Sequence, residues 1–131
     1  MNIRKWLTIG LVLGVVANVI DAVVQGNLLA SYYTAPPFRQ DTNILWLVAG
    51  DFVSALVFTW VYLTFAPAAG PGVGGGAKLG LYAGVLVSFP ANIFLHLLIQ
   101  GFPYALSWIW TVYSIAWYIV LGTIAGAMNR R

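Results

Sequence analysis

Four long apolar runs leave this chain few ways to fold. Residues 6–30, 43–66, 78–100 and 104–128 each meet the roughly 20 residues that a helix needs to cross a hydrocarbon core. Between them they carry almost no charge. The whole chain is 7% charged and 61% hydrophobic, against roughly 25% charged residues in an ordinary soluble domain. Such a surface cannot be wetted, so lipid is the expected solvent. The expectation is an all-α, polytopic integral membrane protein. It has four transmembrane helices in an up-down bundle, which form a single domain over residues 1–131. The first run follows Arg4 and Lys5 in the manner of a signal peptide. It is too long for the apolar segment of about 7–15 residues such a leader carries, and it reads as a retained helix.

Turn-forming residues separate the runs. Pro36-Pro37 with Arg39, Gln40 and Asp41 marks the first loop, Pro67 through Gly76 the second, and Gly101-Phe102-Pro103 a tight third turn. With four spans, Arg4, Lys5, Lys78, Arg130 and Arg131 fall on one side, and Arg39, beside Asp41, on the other. Basic residues favour the cytoplasmic side. The expected placement is therefore the cell inner (plasma) membrane, with both termini cytoplasmic. Aromatic residues gather at the span ends: Tyr32, Tyr33, Trp46, Tyr104 and Trp108 outside, Trp6, Trp60 and Tyr82 inside. They read as interfacial anchors. The net charge of +3 forms no basic stripe, so nucleic acid is not an expected partner. The expected partners are the bilayer and either other membrane subunits or further copies of the chain.

Small residues recur four apart in three spans: Gly10 and Gly14, Gly80 and Gly84, Gly122 and Gly126. Given the topology, all three pairs lie in the cytoplasmic half, where small-xxx-small spacing lets helix backbones approach. Polar residues occupy a different layer. Asn18, Asp21 and Gln25 share a face of the first span, Asp51 and Ser54 a face of the second. Ser88, Asn92 and His96 follow at steps of four in the third, and Ser107, Thr111 and Ser114 line the fourth with Tyr113 adjacent. At about 1.5 Å per residue most of these fall in the outer half. An ionisable group near the bilayer centre costs at least ~2.5–3.5 kcal/mol, so the expectation is a polar cup that faces inward. Asp21 and Asp51 act as charge carriers there and His96 as a titrating partner. Pro90 is expected to bend the third helix.

Catalytic chemistry has little foothold. The chain has no cysteine, which removes thiolate catalysis and Cys-ligated metal sites, and it carries no phosphate loop or hydrolase elbow. His96 is the sole histidine. No cofactor is evident, and His96 could ligate a haem or a chlorophyll-type ring only within a larger complex. A parallel duplication is suggested by Gly10…Ala17-Asn18-Val19 against Gly84…Ala91-Asn92-Ile93. In size and span count the chain resembles the small multidrug transporters. Their hallmark is a membrane-embedded glutamate in the first helix, whereas this chain has no glutamate and Asp21 lies further along. Three functions are compatible with this sequence, the first being a non-enzymatic accessory or assembly subunit, or a homo-oligomer. The second is a small proton-coupled transporter or polar-ligand-binding protein that uses the cup. The third is a pigment- or cofactor-bearing subunit built on His96.

Overall fold

The computed structural model describes residues 2–129; Met1, Arg130 and Arg131 lie outside the described residues, and with them two of the five basic residues used to orient the chain. The fold is all-helical. Helix α1 (Ile3–Val23) is capped by Asn2, whose side chain accepts from the Lys5 N–H at 3.2 Å. It runs into a wide turn over Val24–Leu28, where the Leu29 N–H reaches the Val24 carbonyl at 2.8 Å, and then into a short 3₁₀ turn, Ala30–Tyr33. Helix α2 (Ile44–Ala69) starts at Asn43, whose side chain accepts from the Leu45 N–H at 2.9 Å. Helices α3 (Gly72–Asn92), α4 (Leu95–Leu98) and α5 (Tyr104–Met128) complete the chain. Four helical stretches are long and apolar enough to cross a membrane: Ile3–Leu28, Ile44–Ala69, Gly72–Leu98 and Tyr104–Met128.

Two boundaries differ from the sequence expectation. The second loop is far shorter than Pro67 through Gly76, because α2 continues past Pro67 to Ala69 and α3 begins at Gly72. Proline removes only one helical hydrogen bond. What stops α2 is Gly70, whose φ of +102° is closed to most side chains. The third span is not continuous either. Helix α3 ends at Asn92, two residues past Pro90, and the chain turns through Ile93 and Phe94 before α4. Pro90 gives no N–H to the preceding turn, which weakens the helix where it then breaks. Ser88, Asn92 and His96 therefore do not continue along one helical face.

The helices pack most extensively as two antiparallel pairs, α1 with α2 and α3 with α5. Gly10 lies against Leu56 and Gly14 against Phe52, whereas Gly76 meets Gly122 and Gly80 meets Tyr118. The core joining the pairs contains Ile9, Leu13, Ala17, Phe58, Tyr62, Trp117 and Leu121. A second cluster closes the end that carries the first loop, where buried Leu29, Phe102 and Leu106 pack with Tyr33, Phe38 and Trp110. Around both, the outside is covered by large apolar side chains such as Trp46, Leu86 and Leu98, each more than three-quarters exposed.

Candidate functional site

Asp21 and Asp51 come together. The α1–α2 register that sets Gly10 against Leu56, Gly14 against Phe52 and Asn18 against Val48 places Asp21 opposite Leu45, six residues from Asp51. Six residues is about 9 Å along the axis at ~1.5 Å per residue. Side chains close that gap because each Cα–Cβ bond tilts toward the N-terminus of its own helix. On antiparallel helices Asp21 leans one way and Asp51 the other, and the two carboxyl groups meet within hydrogen-bonding reach. From α5, the Tyr113 hydroxyl donates to Asp21 Oδ1. Asn18, one turn below Asp21, donates through Nδ2 to the Gly14 carbonyl at 2.9 Å and to the Val48 carbonyl at 3.4 Å. It thereby ties α1 to α2 at a level between the two aspartates.

An ionised carboxylate can only accept hydrogen bonds. A bond between two carboxyl groups therefore needs a proton on one of them. Asp51, Asp21 and the Tyr113 hydroxyl thus bring together, from three helices, three groups of a kind that can exchange a proton.

The rest of the expected cup is distributed differently. Gln25 accepts from the Tyr33 hydroxyl. Ser54 is exposed and makes no contribution. Asn92 donates to Ser114 Oγ at 3.3 Å, which joins α3 to α5. Thr111 is buried, and its hydroxyl is spent on the Ser107 carbonyl of its own helix at 2.8 Å. Ser107 Oγ accepts the backbone N–H of His96 at 3.2 Å. Ser88, on the α3–α5 seam, is fully buried and its hydroxyl has no protein partner. What reads in sequence as one cup is two arrangements: carboxyl groups between α1, α2 and α5, and neutral amides and hydroxyls between α3 and α5.

His96 belongs to neither carboxyl group. No hydrogen bond or ion pair among the described residues joins its side chain to an aspartate; the salt bridge found there is Arg39 with Asp41. The imidazole lies edge-on to Tyr104 with ring centroids 4.8 Å apart, and its buried Nδ1 has no protein partner. Histidines that ligate a metal almost always orient the ring through a bond from the second nitrogen. In this chain Nδ1 is without such a protein partner. Among the described residues no group of three or more His, Cys, Asp or Glu could hold a metal ion.

Two aromatic residues near the carboxyl groups were not singled out as site residues by the sequence. Tyr33, read as an interfacial anchor, is half-buried and packs on Phe38 and Trp110 with centroid separations of 5.0 and 6.2 Å. Its hydroxyl accepts from Trp110 Nε1 at 2.9 Å while donating to Gln25. Burial pushes the Tyr33 phenol above its ordinary pKa; the Trp110 bond works against this, and the charge of Asp21 adds to it. A signal for Trp110 does exist in sequence, since it precedes Tyr113 by one helical turn and shares its face. Nothing local marks Tyr33, which reaches the site only through the wide turn after α1. Comparison with protein-family models, with curated proteins and with solved structures finds no match to the chain.

Proposed function

We propose that the chain is a multi-pass protein of the cell inner membrane that binds and passes protons at the Asp21–Asp51–Tyr113 site, alone or coupled to a polar solute. In this reading the helices run up and down across the bilayer with both ends in the cytoplasm. The length of the four apolar helices and the apolar side chains that cover their outside support insertion. The positions of Arg4, Lys5 and Lys78 support the orientation. One observation carries the functional part: two carboxyl groups from different helices meet beside a tyrosine hydroxyl from a third. Ionisable groups inside a span are costly and usually mark ion or proton pathways. A purely structural network could be built from neutral amides and hydroxyls, as Asn92 and Ser114 show elsewhere in the same molecule.

The test is proton flux into proteoliposomes under an imposed pH gradient. Asp21→Asn and Asp51→Asn are each expected to remove the flux while leaving the protein folded and inserted. Flux that is the same in both variants as in the parent sinks the proposal.

A second reading, an accessory subunit or homo-oligomer, is favoured by the first two turns of α2. Ile44 through Gly50 are all exposed, although Asn18 of α1 reaches the Val48 carbonyl among them. Purification in a mild detergent distinguishes this reading: a stable monomer with no co-purifying membrane protein counts against it.

A further inference from the structure

The carboxyl pair is only partly buried between α1 and α2, and in a bilayer its open side would face lipid, so a proton needs a route to it through the chain. At the end that carries the first loop, four rings close the bundle: Tyr33, Phe38, Phe102 and Trp110, with neighbouring centroids 5.0 to 6.2 Å apart. Only two of these rings carry a hydrogen-bonding group, the Tyr33 hydroxyl and the Trp110 N–H, and the two are bonded to each other at 2.9 Å. Indole nitrogen is a donor only. It cannot accept and re-donate a proton, whereas a phenol can do both. The Tyr33 hydroxyl is thus the one relay-competent group in the plug. It also stands about one helical turn from the site: Gln25, to which it donates, follows Asp21 by four residues, and Trp110, which donates to it, precedes Tyr113 by three, and the Tyr113 hydroxyl donates to Asp21.

The surrounding contacts define the state of this group. Trp110 fixes the hydroxyl oxygen, and Gln25, on the wide turn after α1, accepts the hydroxyl's hydrogen bond. A side-chain amide oxygen accepts a hydrogen bond but does not pass a proton on at neutral pH, so the hydroxyl is directed into a dead end. The loop behind it is held in place as well, because Gln40 Nε2 donates to the carbonyls of Tyr33 at 2.9 Å and Phe38 at 3.0 Å. The titratable groups one turn inward of Tyr33's two partners are Asp21 on α1 and Tyr113 on α5, which are hydrogen-bonded to each other, and Asp51 of α2 lies beside Asp21. Arg39 and Asp41, on the same loop, are exposed and occupied with each other.

We propose that Tyr33 is the positioning residue through which protons enter the Asp21–Asp51 pair from the loop end, and that Gln25 holds its hydroxyl in the closed setting. Entry follows when the hydroxyl leaves Gln25 and turns toward Tyr113 and Asp21. A proton arriving at the Tyr33 oxygen from the loop side is then matched by release of the tyrosine's own proton inward, with no net change on Tyr33. The inference rests on the proton-binding reading above and adds the route and the gate.

The experiment uses the full chain in phosphatidylethanolamine–phosphatidylglycerol vesicles. After a rapid pH jump, the infrared carbonyl-stretch band of protonated aspartate is followed in time. Tyr33→Phe keeps the ring and removes the relay, and is expected to slow the appearance of the band by at least about tenfold while its final amplitude and titration midpoint stay the same. Gln25→Ala removes the closed setting and is expected to speed the band up. Opposite signs in two neighbouring residues are not produced by a general loosening of the plug. If Tyr33→Phe fails to fold, Trp110→Phe, which removes the bond that fixes the hydroxyl oxygen, tests the gate with Gln25→Ala: both are expected to change the rate at a constant midpoint. Parent-like rates in these variants, or a Gln25→Ala variant as slow as Tyr33→Phe, overturn the route and leave the proton-binding site standing. A parent protein whose aspartate band does not respond to pH overturns both.

Discussion

The α1–α2 and α3–α5 pairs share a sequence device and use it in different ways. Both rely on glycines four residues apart. In α3–α5 the glycines bring backbone onto backbone: a Cβ added at Gly76 would stand 2.0 Å from the Gly122 carbonyl oxygen, one at Gly80 2.2 Å from that of Tyr118, and one at Gly126 2.3 Å from that of Gly72. In α1–α2 the space above each glycine is filled by a side chain: a Cβ at Gly10 would meet Leu56 Cδ2 at 2.5 Å, and one at Gly14 the ring of Phe52 at 2.2 Å. One pair is welded and the other is plugged. Where backbones touch there is no room between them for a longer side chain. Where side chains set the separation, Asn18, Asp21 and Asp51 can be accommodated. The difference in spacing explains why the carboxyl groups belong to the α1–α2 side and why the α3–α5 seam carries only short neutral groups.

The largest expected effect comes from breaking the weld. Gly80→Ala and Gly122→Ala each place a methyl group against backbone that cannot move without separating the helices. Overpacking commonly costs about 1–3 kcal/mol and occasionally more, and these positions are expected at or above the top of that range. Reversible unfolding in mixed detergent micelles provides the measurement. A loss below about 1 kcal/mol for both would show that the seam is looser than described.

The plug is expected to be more forgiving, because the far end of a leucine can shift. Gly10→Ala should cost about 1 kcal/mol, near the lower end of the overpacking range, and Leu56→Ala in the same chain should recover part of it. That recovery is the sharper test, since it measures coupling between the two positions directly. For Gly80→Ala no single side-chain truncation is available to give the same relief. If Gly10 and Gly80 behave alike in such cycles, the contrast between the pairs fails.

Polar contacts should follow in size. Hydrogen bonds between transmembrane helices average about 0.6 kcal/mol, with a maximum near 1.7 kcal/mol. Asn92→Ala, which removes the contact with Ser114, is expected near that average in the same unfolding measurement. A loss beyond the upper figure would make the α3–α5 seam dependent on its polar bond, contrary to the weld described here.

Much of this was legible in the sequence, for reasons that can be traced to particular residues. Lengths and apolar content located four helices, since span length is set by a single physical dimension. Gly80, Gly84, Gly122 and Gly126 lie on the α3–α5 face, and Asp21 and Asp51 stand six residues apart in the α1–α2 register, an offset that no spacing within one helix reveals. Gly76 escaped notice because it stands in a Gly- and Pro-rich stretch that reads as a loop, although α3 begins at Gly72. Tyr33 escaped because its position depends on the wide turn at Val24–Leu28, which no local pattern announces. His96 was grouped with Ser88 and Asn92 on the assumption of an unbroken helix, and the break after Asn92 separates it from them. Periodicity carries information only as far as the helix does.

The smallest expected effect lies outside both helix pairs and serves as their control. Arg39 and Asp41 form a two-point ion pair on the first loop, with Nε and Nη2 donating at 3.0 Å each to the two carboxylate oxygens. The guanidinium holds the Asp41 carboxyl below the usual range. A depressed carboxyl stabilises the fold above its unfolded-state pKa, and that contribution is lost as pH falls through the folded value. The side chains are 79% and 73% exposed, however, and an ion pair in water is screened by solvent and salt. Asp41→Asn is therefore expected to leave Tm unchanged at neutral pH, and the parent protein to show no acid-linked drop in Tm that the variant lacks. If the variant did lose such a drop, the first loop would be helping to hold the bundle end closed, and the plug over the carboxyl pair would depend on charge as well as on the packing of Tyr33, Phe38, Phe102 and Trp110.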